Sequence, residues 1–133
     1  MMPCQSRSSI AALAVLIILQ MVMLTALYAG VPPHPPVATP LFGIAPFLGA
    51  SMGTAAAAII LGTSTSRAGA ALSLLATVMA LVSFGPQKYL DAQFGLIWPA
   101  VICGQIASLV VVVNVVSGLR SGSLLAAREG QPS

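Results

Sequence analysis

Four stretches of about twenty residues, each free of charged side chains, set the terms for this chain. They run over about 10–30, 40–61, 68–84 and 94–116. A helix needs roughly 20 apolar residues to cross the hydrocarbon core of a bilayer. Inside that core the backbone must satisfy its own hydrogen bonds, which leaves closed helices as the natural solution here. The 133-residue chain is 58% hydrophobic and only 5% charged, whereas a soluble domain carries about 25% charged residues. So short a chain cannot hide that much apolar surface from water. The expected fold class is therefore all-α: one domain, a polytopic membrane protein with four transmembrane helices in an up-down-up-down bundle. The short connections favour antiparallel neighbours.

The punctuation between the runs agrees. Ser8 and Ser9 offer N-caps for the first helix. The segment Val31-Pro32-Pro33-His34-Pro35-Pro36 is too proline-rich to be helical. Gly62 to Arg67 reads as a short polar turn, and Gly85 to Gln93 as the third connection. Ser117-Gly118 reads as the end of the last helix, with a polar C-terminal tail over 117–133. The first run follows Arg7, as a signal peptide would, but it is long for one, and Leu27-Tyr28-Ala29 is a poor cleavage site. It reads as a retained span.

The basic residues give an orientation. Arg7, Arg67, Arg120 and Arg128 fall on one side of a four-span protein, and Lys88 alone falls on the other, with Asp91 three residues away. Positively charged residues favour the cytoplasmic face, so both termini and the middle turn are expected there. Deleting any one span would destroy the pattern. The alanine-rich, lysine-poor composition points to a bacterial inner membrane. The net charge of +3 comes from scattered residues, and nucleic-acid binding needs a clustered basic face, so no nucleic-acid partner is expected.

Small residues recur at helical spacing. Ala45, Gly49, Gly53 and Ala57 stand four apart in the second run and contain a GxxxG. Gly69, Ser73, Ala76, Ala80 and Ser83 follow a three-four pattern in the third, and Ala100, Gly104 and Ser108 line one side of the fourth. Such stripes let helix backbones approach closely, a main source of association in lipid. Alanine-rich sequences also produce them by chance, as Ala55 to Ala58 illustrates. Gln20 and Gln105 fall near the middle of the first and fourth runs. They are candidates for an intramembrane polar contact, either with each other or with a cofactor. Pro46 and Pro99 lie near the same boundary of their runs, where proline is tolerated or kinks the helix.

All seven aromatic residues, Tyr28, Phe42, Phe47, Phe84, Tyr89, Phe94 and Trp98, lie towards the non-cytoplasmic half. An interfacial belt explains them, although belts normally form at both interfaces. The alternative is an outer docking face comprising Tyr28, Phe84, Lys88, Tyr89, Asp91, Phe94 and Trp98, able to meet a partner subunit or a bound lipid, quinone or pigment.

Catalytic chemistry is not evident. Asp91 and Glu129, the only acids, lie outside the runs, whereas pumps and ion-coupled transporters place ionisable groups within the membrane. His34 is the only histidine, and Cys4 and Cys103 lie in different regions with no CxxC. No catalytic triad or phosphate loop can be read. No resident cofactor or metal is expected, nor an enzyme. The expected function is a non-catalytic accessory or assembly subunit of a larger membrane complex, respiratory or photosynthetic, with other membrane subunits and the lipid bilayer as partners. The alternative is a small homo-oligomeric transporter, channel or lipid-handling protein.

Overall fold

The computed structural model describes residues 4–31 and 41–130. The proline-rich segment with His34 lies outside them. The chain forms α1 (Cys4–Ala29), α2 (Leu41–Leu61), α3 (Arg67–Phe84), a 3-10 segment (Pro86–Leu90) and α4 (Phe94–Glu129), and the described residues contain no strand. Among the described residues, four helices are long and apolar enough to cross a membrane by length and composition.

Each helix turns one narrow stripe inward. In α1 it is Ser6, Ser9, Leu13, Leu16 and Gln20; in α2 it is Leu48, Ser51, Ala55 and Ala58. In α4 it is Val101, Gly104, Ala107, Ser108, Val111 and Val115. The alternating three- and four-residue steps match shallow helix crossing, in which one seam per helix faces its neighbours. The remaining sides, bearing residues such as Ile18, Val22, Ile60, Ile106 and Leu109, are open. That is the pattern expected where lipid rather than water is the solvent.

The helices close a ring. α1 packs on α2 and α4, and α3 packs on the same two; α1 and α3 approach across the middle, while among the described residues the backbones of α2 and α4 stay apart. α3 is the most enclosed. Half of its spanning window is buried, against 22% for α1 and for α2. Its small-residue stripe, Gly69, Ser73, Ala76, Ala80 and Ser83, is buried throughout. Ser73 Oγ donates to Gly69 O and Thr77 Oγ1 to Ser73 O, each at 2.8 Å, so these hydroxyls are satisfied within their own helix.

The α2–α3 turn is tight. Gly62 has φ +85°, a left-handed conformation suited to glycine at a helix C-terminus. Ser66 caps α3, its Oγ accepting from Gly69 N at 2.9 Å while donating to Leu61 O at 2.8 Å.

Two boundaries differ from the sequence reading. α1 starts at Cys4 rather than near Ile10, so Ser8 and Ser9 sit inside the helix rather than capping it. Ser9 is buried, and Ser8 Oγ accepts from Asn114 Nδ2 at 2.7 Å, tying α1 to α4. The larger difference is at the other terminus. α4 does not end at Ser117-Gly118 but runs on to Glu129, 36 residues in all. Gly118 is a point of close approach rather than a stop: a Cβ there would stand 3.4 Å from Ser64 Cβ. Beyond it, Ser121 Oγ and Ser123 Oγ donate to Ser117 O and Arg120 O instead of competing with the helix. Leu119, Leu124, Leu125, Ala126 and Ala127 are good helix formers. At 1.5 Å per residue α4 is about 54 Å long, well beyond a hydrocarbon core of about 30 Å.

Gly104 is where α3 and α4 come closest to excluding a side chain. A Cβ there would lie 2.9 Å from Phe84 Cβ. Gly104→Ala is therefore expected to destabilise the fold by about 1–3 kcal/mol. Gly49→Ala and Gly53→Ala, where a Cβ would meet nothing within 4 Å, should leave it unchanged or slightly more stable. Thermal unfolding in mild detergent tests this, and a neutral Gly104→Ala would contradict the packing described.

Candidate functional site

α3 is only 18 residues long, about 27 Å, slightly less than the hydrocarbon thickness. Its level against α4 is fixed at two points. Gly118 lies by Ser64 at the α2–α3 turn, and Gln105 Nε2 donates to Phe84 O at the other end of α3, at 3.3 Å. Twenty residues back along α4 from Gly118, about 30 Å, is Trp98. Beyond Phe84 the chain continues through the 3-10 segment, and Arg67–Leu90 together make a 24-residue stretch apolar enough to cross a membrane by length and composition. A helix that ends in apolar surroundings must find partners for its last carbonyls. Here amide side chains supply them. Gln87 Nε2 donates to Leu81 O (3.0 Å) and Val82 O (2.8 Å), and Gln105 serves Phe84 O.

These bonds hold the 3-10 segment against the N-terminal third of α4. Pro86 opens it, at a position where no backbone N–H is required. Tyr89 OH donates to Gln105 Oε1 at 2.9 Å, and the Tyr89 ring meets Phe94 at 5.0 Å in a tilted arrangement. Asp91 Oδ1 accepts from Gln93 N at 2.9 Å, an Asx turn, while its Oδ2 lies 3.5 Å from Lys88 Nζ. The ion pair is about three-quarters buried, with side-chain exposures of 27% and 21%. A partly exposed pair contributes about 0–1 kcal/mol, so its interest lies in position rather than stability.

Beneath the pair is a cleft of about 140 Å³ between α1, the end of α3 and the start of α4. Leu19, Met23, Ala26, Ile97 and Val101 form its apolar walls, with Phe84 beside them and Lys88, Asp91 and Gln93 at the rim. Val22, 61% exposed, lies at its open side. Among the described residues no group of three or more His, Cys, Asp or Glu side chains could hold a metal.

The expected outer face is thus divided. Lys88, Tyr89, Asp91 and Phe94 gather at one place. Phe84 belongs to the core, 6% exposed and packed on Gly104. Tyr28 and Trp98 are open and outside the cleft lining, and Tyr28 shares a separate α1–α2 groove with Phe42, Ala45 and Pro46. Gln20 and Gln105 do not meet. Gln20, 1% exposed, donates through Nε2 to Ser51 Oγ at 2.7 Å, and Gln105 is engaged as above. Ser51 escaped the sequence reading although it sits at the midpoint of its run, as Gln20 does; matched depth was the available signal. Of the packing candidates, Gly104 and Ser108 are buried and Ala45, Ala57 and Ala100 half-buried, while Gly49 and Gly53 face outward.

Gln105→Leu should cost about 1–3 kcal/mol by leaving Phe84 O unpaired. A double-mutant cycle between Gln20→Leu and Ser51→Ala should show coupling of about 0.6 kcal/mol. One between Gln20→Leu and Gln105→Leu should be additive within about 0.5 kcal/mol. Unfolding titrations in detergent give all three values, and coupling between the two glutamines would contradict the separate networks.

No protein-family model, no characterised protein and no solved structure matches this chain.

Proposed function

We propose that the chain is a non-catalytic accessory or assembly subunit that binds laterally to a larger membrane protein. The observation that carries this reading is the outward GxxxG of α2. Gly49 and Gly53 have open space where a Cβ would stand, and α2 packs on α1 and α3 through a different stripe, Leu48, Ser51, Ala55 and Ala58. Glycine inside a helix costs about 1 kcal/mol relative to alanine. Two of them at positions where a Cβ would meet nothing among the described residues fit a close helix contact with another subunit. The proposed setting is a bacterial inner membrane, with an up-down-up-down bundle and both termini cytoplasmic. The arginine bias supports the orientation, and the Ser8–Asn114 and Phe84–Gln105 hydrogen bonds support antiparallel α1/α4 and α3/α4 pairs.

Purification at native expression through a C-terminal tag in mild detergent, followed by mass spectrometry and an absorption spectrum, tests the reading. Larger membrane subunits are expected in stoichiometric amounts, and Gly49→Ile with Gly53→Ile should release them without lowering stability. A colourless preparation containing this chain alone would overturn it in favour of a homo-oligomeric carrier or pore. Orientation has its own test in spheroplasts. A membrane-impermeant maleimide should label an Ala92→Cys variant but not Cys4, and the reverse result would invert the topology.

A further inference from the structure

We propose that the cleft beneath Lys88 and Asp91 is a binding site for one phospholipid with a phosphoethanolamine head, taken from the leaflet on the side of the α3–α4 connection. This goes beyond the accessory-subunit reading and does not depend on it. The cleft volume of about 140 Å³ resembles a cavity of about 150 Å³ that holds a benzene ring. It therefore takes one segment of an acyl chain rather than a whole lipid. Its walls are apolar, and Val22 at the open side lets the rest of the molecule remain among its neighbours.

The rim decides the head. Lys88 and Asp91 present one charge of each sign 3.5 Å apart, and Asp91 is oriented by Gln93 N on its other oxygen. The complement of such a pair is a head that carries both charges. Its phosphate oxygen accepts from the Lys88 ammonium, and its own primary ammonium donates to the Asp91 carboxylate. A phosphoglycerol head brings only an anion and meets the Asp91 charge with nothing to offset it. A phosphocholine head has the right charges but no N–H to donate, which forfeits the charge-assisted hydrogen bond. Partial burial of both side chains lessens screening by water and salt.

Native mass spectrometry of the full chain in mild detergent, titrated with phosphatidylethanolamine, phosphatidylglycerol and phosphatidylcholine of identical acyl chains, tests the site. One phosphatidylethanolamine should bind, tighter than either of the others by roughly tenfold, the step expected of one charge-assisted hydrogen bond. Asp91→Asn should erase the preference over phosphatidylcholine. Lys88→Gln should weaken all three lipids. Ala26→Leu, which fills the cleft from α1, should weaken all three with helicity and melting unchanged; should that variant not fold, Asp91→Asn decides alone. Equal binding of the three lipids, tightest binding of phosphatidylglycerol, or a preference that survives Asp91→Asn would overturn the proposal. None of these results depends on whether other subunits co-purify.

Discussion

The last carbonyls of a helix have no partner within the helix and need one from elsewhere, and α3 finds its partners in side-chain amides. Its 18 residues stop level with Gln105, in the middle of the fourth apolar run. Of its last four carbonyls, those of Leu81, Val82 and Phe84 are taken up by the side-chain amides of Gln87 and Gln105. Each unpaired group would otherwise cost several kcal/mol in a bilayer. The need to place those two amides fixes the 3-10 segment against α4, and the segment in turn positions Tyr89, Lys88 and Asp91. The polar rim is thus a consequence of how a short helix is terminated.

Below that level the bundle is held by closeness rather than by a hydrophobic driving force. Apolar side chains gain nothing by leaving lipid for protein, so contact area, packing and interhelical hydrogen bonds carry the association. This explains why the most enclosed helix presents Gly69, Ser73, Ala76, Ala80 and Ser83 rather than leucines. It also explains why polar groups are tolerated inside. Ser73 and Thr77 bond back to their own helix, and Gln20 joins α1 to α2 through Ser51. Ser108 Oγ is the exception in the α3–α4 seam, buried with no partner among the described residues. There the small volume of serine beside Gly104 matters more than its hydroxyl.

The sequence reveals most where one physical term dominates. Four charge-free runs locate the four helices, because length and apolarity alone decide whether a helix can span. The buried stripe of α3 was legible because its small residues have no other use. The GxxxG of α2 was visible as a stripe, but its direction was not. Which side of a uniformly apolar helix turns inward depends on neighbours, and the inward side proved to be Leu48, Ser51, Ala55 and Ala58. Ser117-Gly118 misled for a related reason: a glycine that permits close approach to Ser64 and a glycine that ends a helix are the same letter. The partners of Gln20 and Gln105 were hidden because an amide at a given depth is compatible with several facing residues.

The one-sided aromatics resolve into separate roles. Phe84 fills the seam against Gly104, Tyr89 and Phe94 pack together at the rim, and Tyr28, Phe42 and Trp98 remain open, as residues at a lipid–water boundary can be. The cleft beside them follows from the same geometry as the rim. Where α3 stops, a 3-10 segment of five residues continues against α4. A 3-10 turn is a narrower element than an α-helix, so it cannot occupy the width that α3 vacates. Phe84 at the end of α3 lines that cleft together with Lys88 and Asp91, so the charged rim and the apolar space meet where α3 gives way to the 3-10 segment.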